Sequence, residues 1–388
     1  LKITRITEAP IRLASNISNA LVNFSEHTVS LLAIATDRVI DGRPLVGLSF
    51  NSIGRYAQSG ILNDRMIPRV LNAAPDSLLA LDGATLSAEK VLACALRNEK
   101  PGGHGDRAMA ASALEMAVWD LNAKLAGEPA SVTIARDFGR PARDKQVAVY
   151  AAGGYYYDGA DTGKLAAELQ TYGRRGFNRY KMKIGGASLG QDIARIEAAL
   201  EVAGGGAQLA VDANGRFDLE TARQYGCALA PYGLLWFEEP GDPLDLELHA
   251  ALASEYQGAL ATGENLFSHQ DVKNLLLFGG PRRGRDIFQM DPGLSYGVTE
   301  YARMLDEMER RGFSRSQCFP HGGQLMGLHV VSGLNLGGSE VYPDVFQPLG
   351  GFGDDAAIED GFVRVPDTPG FGFEQKSNLI NAFARLAG

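Results

Sequence analysis

Cysteine is scarce. The 388 residues hold only Cys94, Cys227 and Cys318, far apart and without paired spacing. That argues against a disulfide framework or a thiolate metal site and leaves each as a small apolar side chain. Long apolar runs are absent too: nothing approaches the roughly 18 residues a membrane-crossing helix needs, and Leu1-Lys-Ile-Thr-Arg5 lacks signal-peptide architecture, so a cytoplasmic chain is expected. Positive charge is in deficit, with 37 Lys and Arg against 46 Asp and Glu, a net charge of −9 and no basic block. Such a balance argues against nucleic acid or an anionic membrane as partner. Local cations can still receive an anionic small molecule.

What is present is an ordinary globular composition, 45% apolar, at a length that suggests two domains. Residues 1 to about 50 carry alternating β-branched runs (Lys2 to Ile6, Thr28 to Thr36, Val46 to Phe50), which predict a small antiparallel sheet. The loops Ala14 to Asn23 and Phe50 to Gly60 are long enough to act as lids. From about 60 to 126 the period becomes helical. Leu114, Ala117, Val118, Leu121 and Leu125 fall on one helix face, and Gly127 with Pro129 stops the helix.

After a polar connection around Arg140 to Lys145, strands and helices alternate strictly. The spacing predicts strands at Val147 to Ala151, Arg179 to Ile184, Gln208 to Asp212, Leu234 to Glu238, Leu260 to Glu264, Ile287 to Met290 and Gln317 to Phe319, with a weaker eighth at Gly337 to Val341. Helices are predicted near 162–175, 190–203, 218–230, 244–256, 269–278 and 298–311. Parallel units of this length make either an open doubly wound sheet or a closed barrel. The charges decide for the barrel. Asp212, Glu238 and Glu264 end successive strands 26 residues apart. Only in a barrel do such ends converge on one face. The fold class expected is therefore α/β: a (β/α)7β TIM-type barrel at 145–341 and an α+β cap at 1–126, completed by the tail 342–388.

Three carboxylates brought together repel, and the economical partner is a hard divalent cation, Mg2+, with Mn2+ able to replace it. Lys181 and Lys183 lie on the same face of one strand, beside that ion. Neighbouring cations lower a lysine's pKa, which makes a neutral amine base plausible. His321, in Phe319-Pro-His-Gly-Gly323, follows the seventh strand. Asp291 ends the strand before, where an acid can orient the imidazole and raise its basicity.

The order Lys181-X-Lys183, Asp212, Glu238, Glu264, Asp291 and His321, on a capped barrel, resembles the mandelate racemase subgroup of the enolase superfamily over nearly the whole chain. The resemblance implies removal of the proton α to a carboxylate with Mg2+ on Asp212, Glu238 and Glu264, and superfamily sites use a Lys or His base. It implies Lys183 as the base at C2, His321 held by Asp291 as the acid for a departing C3 hydroxyl, and Lys181 as a counter-charge to the carboxylate. Asn214 and Glu340 are implied as substrate contacts, and Asn19 and Lys100 as further contacts from the cap. The reaction implied is dehydration of a 2,3-dihydroxy dicarboxylate or related acid sugar, D-tartrate to oxaloacetate foremost. Racemisation or epimerisation of another aldarate or aldonate, and metal-dependent binding without catalysis, stay open. Ile53 is a departure, apolar where a polar side chain is expected. The partners expected are the acid sugar and further copies of the chain.

Overall fold

The computed structural model describes residues 1–40, 42–140, 146–157 and 161–386. Most of the predicted Arg140 to Lys145 connection, including the expected barrel start at 145, lies outside them. The alternating N-terminal runs form β1 (Ile3–Arg12), β2 (Thr28–Ile40) and β3 (Arg43–Phe50), an antiparallel sheet in the order β1-β2-β3. Ile6 lies opposite Ile34, and Ala33 opposite Leu48.

The helix Gly105–Ala126 packs on this sheet and ends where Gly127 takes up the left-handed conformation. One apolar face was expected; instead every residue from Ala108 to Ala123 is buried. The reason is a cover on all sides: β3, the helices Ala88–Ala95 and Ala130–Asp137, and the barrel helix Val298–Arg310. Its many alanines let these neighbours come close. A Cβ added to Gly47 of β3 would stand 2.2 Å from the Ala117 carbonyl oxygen.

The second unit holds parallel strands β4 (Gln146–Ala152), β5 (Tyr180–Lys183), β6 (Leu209–Asp212), β7 (Phe237–Glu238), β8 (Leu260–Thr262), β9 (Ile287–Phe288) and β10 (Ser339–Val341). They pair in the order β4 to β9, and β10 pairs with the free side of β4. The predicted strand at Gln317 to Phe319 shrinks to one bridge, Phe288 to Cys318, because Arg315–Gln317 winds into a 3-10 turn. Phe319 N–H donates to the Phe288 carbonyl at 2.8 Å and Gly337 N–H to the Cys318 carbonyl at 2.9 Å. The main-chain hydrogen bonds thus lead from β9 through Cys318 and β10 back to β4, and the path closes on itself.

Six predicted helices stand at Asp161–Arg174, Leu189–Ala203, Leu219–Leu229, Leu246–Glu255, His269–Phe278 and Val298–Arg310. A seventh, Leu325–Leu334, was not anticipated. It is almost wholly buried and largely apolar, His329 and Ser332 excepted, being pressed between the barrel and the equally unanticipated helix Ala130–Asp137, so it has little amphipathic period to read. The tail does two things. Its hairpin β11 (Ile358–Glu359) and β12 (Phe362–Arg364) pairs antiparallel with β4, while Phe371 and Phe373 pack into the cap, Phe373 lying 5.7 Å from Phe50 between ring centroids. Among the described residues no helix is long and apolar enough to cross a membrane.

Candidate active site

Strand alternation aims Lys181 and Lys183 into the barrel, and the register sets Lys183 beside Asp212 and Asp212 beside Glu238 on one level. All four are buried. Lys183 Nζ stands 2.5 Å from Asp212 Oδ2. Lys181 Nζ reaches Glu238 Oε1 at 2.6 Å, Glu340 Oε1 at 2.7 Å and Asp212 Oδ2 at 3.6 Å. Glu238 Oε2 accepts from Trp236 Nε1 (2.9 Å) and Gln289 Nε2 (2.7 Å). Tyr150, Ala210, Trp236 and Ala261 form an apolar floor below.

The electrostatics follow from burial against charge. For Asp212, burial raises the pKa but Lys183 and Lys181 outweigh it and hold the group well below the usual carboxylate range. For Glu238, burial and then Asp212 push the carboxyl up, with Lys181 only partly offsetting them. Lys181 departs from the lowered lysine that was expected. Burial does act downwards, but Glu238, Glu340, Tyr150 and Asp212 together raise it well above its ordinary value. The anions around it outnumber the cations.

His321 Nδ1 lies 3.1 Å from Asp291 Oδ2 and Nε2 lies 3.9 Å from Glu264 Oε2. Burial disfavours the imidazolium. Glu264, the Asp291 hydrogen bond and Glu340 win, and its pKa is held up at about 9. Asp291 is fully buried, with Gly293 N–H on Oδ1 at 2.7 Å and the Ser52 hydroxyl on Oδ2.

A cavity of about 230 Å3 opens above, and Lys183, His321, Glu264 and Asn214 line it together. The cap supplies the roof: Asn19, Leu21, Val22, Ile53 and Arg55 from the two predicted lid loops. Asn19 lines the cavity as predicted, though its Oδ1 is occupied by the N–H groups of Leu21 (2.8 Å) and Val22 (2.7 Å). Two predicted contacts are corrected. Lys100 is exposed and does not line the cavity; its carbonyl accepts from Arg107 at 2.6 Å. Glu340 does not line the cavity, because β10 registers it opposite Tyr150, two residues below the level of Lys181; its oxygens are taken by Lys181 and by Gly322 N–H at 3.0 Å.

Four residues escaped the sequence reading. Glu239, next to Glu238, lines the cavity, and burial with Glu264 and Asp212 raises its carboxyl well above normal. Asn265 donates to Glu239 at 2.9 Å and accepts from Arg55. Gln289 lies within Phe288-Gln-Met-Asp291, where only Asp291 drew attention. The doubled acid Glu238-Glu239 and the arginine in a suspected lid were the signals available.

Among the described residues, no three His, Cys, Asp or Glu side chains stand close enough together to grip an ion as they are. Lys181 Nζ stands between Asp212 and Glu238, Lys183 Nζ is on Asp212, and Glu264 is the more exposed of the three acids. The donor chemistry nevertheless fits a hard divalent ion: Asp212 and Glu238 end neighbouring strands, Glu264 lies in the turn just after β8 instead of on the predicted strand Leu260 to Glu264, and Asn214 Oδ1 is a buried oxygen with no hydrogen-bond partner. Asn214 holds Asp212 through its N–H at 2.8 Å, in a left-handed turn with φ of 49°.

A closed ring of parallel strands with chemistry at the C-terminal ends, roofed by a separate α+β unit, defines a class of capped (β/α) barrel. Within that class the chain belongs to the enolase superfamily, since the family described as "Enolase C-terminal domain-like" matches residues 164–378. An arabinonate dehydratase from Saccharolobus solfataricus is 31% identical over 277 residues, 70% of this chain and 71% of that enzyme. A 3,6-anhydro-alpha-L-galactonate cycloisomerase from Streptomyces coelicolor is 28% identical over 94% of this chain and 92% of its own length. Among solved structures, an L-talarate/galactarate dehydratase from Salmonella typhimurium, liganded with Mg and L-lyxarohydroxamate, superposes with a TM-score of 0.76 at 25% identity, covering 95% of this chain and 88% of that one.

Proposed function

We propose that the protein is a hydro-lyase that dehydrates a 2,3-dihydroxy acid sugar, with D-tartrate to oxaloacetate the first reaction to test. The observation that carries this reading is that Lys183 and His321, a base and an acid from opposite parts of the ring, line one small cavity. The dehydratases among the relatives support the reaction class. The strings Ala151-Ala-Gly-Gly-Tyr-Tyr-Tyr157, Lys181-Met-Lys-Ile-Gly-Gly186 and Asp212-Ala-Asn-Gly-Arg216 resemble D-tartrate dehydratase and support the substrate.

Asp212, Glu238 and Glu264 would hold Mg2+, or Mn2+ in its place, and the ion when bound supplies positive charge against the substrate carboxylate. Lys181 adds a fixed cation below. Lys183 Nζ takes the C2 proton, and the electron pair left at C2 passes into the C2–C3 bond as the C3–O bond breaks. His321, its Nδ1–H held by Asp291, gives the Nε2 proton to the departing hydroxyl, which leaves as water. The enol then becomes the 2-keto acid. Buried donors aimed at these positions need no reorganisation, which is where such sites gain most.

The test follows the protons. With D-, L- and meso-tartrate in D2O, His321→Asn keeps exchange at C2 but loses keto acid, while Lys183→Ala loses both. EDTA abolishes wild-type turnover and Mg2+ restores it. An isomer interconverted without keto acid sinks the dehydratase in favour of a racemase or epimerase. No turnover of any aldarate or aldonate leaves a binding protein.

A further inference from the structure

The acid half of the site is not built from the barrel alone. Asp291 Oδ2 takes two donors: His321 Nδ1, and the hydroxyl of Ser52, which belongs to the cap. An ionised carboxylate only accepts, so both hydrogens are assigned by chemistry: one on Nδ1, one on Ser52 Oγ. Ser52 and Asp291 are both fully buried.

The serine is held from several sides. Asn51 Oδ1 accepts from Ser30 N–H at 2.6 Å, and Ser52 N–H donates to the Gly293 carbonyl at 3.4 Å. The same carbonyl accepts from Ser112 Oγ of the long cap helix at 2.6 Å. The barrel leaves room only for this side chain. A Cβ on Gly293 would stand 2.7 Å from Ser52 Cβ, and one on Gly322 would stand 2.7 Å from Asp291 Oδ2 and 2.9 Å from Ser52 Oγ. Both glycines flank the serine, one beside Asp291 and one beside His321. The next residues of the same loop, Ile53, Gly54 and Arg55, line the substrate cavity.

We propose that Ser52 is a positioning residue for the Asp291–His321 pair, and that through it the cap sets the direction in which His321 presents its acidic proton. This rests on the reading of His321 as the acid for the leaving hydroxyl. The carboxylate of Asp291 turns about its Cβ–Cγ bond unless both oxygens are held. Gly293 N–H holds Oδ1 and Ser52 holds Oδ2 facing Nδ1, so the ring keeps Nε2 toward the cavity. Lys183 has no part in this network, which makes the two half-reactions separable.

The experiment uses Ser52→Ala and the near-isosteric Ser52→Cys, a weak donor that keeps the packing, with D-tartrate in D2O and full-length protein. Both are expected to lower keto-acid formation roughly tenfold or more, the scale for a hydrogen bond lost from a buried charged group. KM and C2 exchange by Lys183 stay within about twofold, the split a positioning role requires and general disorder does not give. Without substrate, the downfield proton NMR signal of the His321 Nδ1–H bond shifts or disappears in Ser52→Ala and Ser52→Cys. Wild-type turnover and an unmoved signal in the cysteine variant overturn the proposal, as does an equal fall in exchange and turnover. Wild-type protein that neither exchanges nor dehydrates any acid sugar overturns the underlying reading instead, and the NMR signal alone then decides the role of Ser52.

Discussion

His329 lies fully buried in the helix Leu325–Leu334, and its Nδ1 accepts the Ser131 N–H at 3.2 Å, so the ring must be neutral there. Burial, offset in part by the Phe371 carbonyl, lowers its pKa from 6.5 to about 3. Between those values the unfolded chain binds a proton that the folded chain refuses. Stability from this group is therefore complete above pH 6.5 and is lost as pH falls toward 3, by up to about 1.4 kcal/mol per pH unit. His321 has the opposite sign, its raised pKa contributing stability that is lost as pH rises through about 9. Urea unfolding between pH 7.5 and 4.5 should show a shallower acid slope in His329→Gln, whose amide oxygen can still take the Ser131 N–H; an unchanged slope refutes the assignment. At this scale the sequence was uneven. Lys183 and Asp212 could be placed because strand ends carry position and direction together, whereas Glu264, Asp291 and His321 follow their strands or bridge by two or three residues and were singled out by residue type and spacing. Lys100 was not, because nothing periodic orients a loop side chain, and the depth of Glu340 depends on the pairing of β10 with β4, which no local pattern encodes.

At the level of elements, helical period was hardest to read where a helix is covered on all sides. The short helix Ala130–Asp137 was missed although part of it is exposed, while Gly105–Ala126, read as one-faced, and Leu325–Leu334, not read at all, both lie between other elements. Their close packing leads to a prediction about β3. Gly47 faces the long helix so tightly that an alanine Cβ would meet the Ala117 carbonyl at 2.2 Å and Leu121 Cβ at 2.6 Å, and helix backbone cannot step aside. Gly47→Ala should cost about 1–3 kcal/mol, the usual range for overpacking. A urea midpoint that drops with unchanged slope would agree. A midpoint equal to wild type would mean that the sheet and the helix slide apart freely.

For the whole molecule, the telling residue is Glu115, a buried carboxylate of the cap helix that accepts from the first turn of a barrel helix: Val298 N–H at 2.9 Å, Thr299 N–H at 2.9 Å and Thr299 Oγ1 at 2.6 Å, besides Trp119 Nε1 at 2.8 Å. A negative group at a helix N-terminus satisfies orphan donors and meets the dipole favourably. In Glu115→Gln an amide N–H must face a backbone N–H, at about 1–3 kcal/mol. We expect calorimetry to show one unfolding transition for the wild type and a broadened or divided one for Glu115→Gln; a single sharp transition in both would show that other contacts join the units.

The pairing of β10 and the hairpin β11–β12 with β4 also bears on how the protein is born. A ribosome that makes roughly 5–20 residues per second releases Gln146–Ala152 well before its partners at Ser339–Val341 and Phe362–Arg364. For roughly ten to forty seconds the nascent chain carries an apolar strand, Val147-Ala-Val-Tyr150, with one edge open, and Lys181 without Glu340. Lys181 and its acids can come to rest only once Glu340 of β10 has been made.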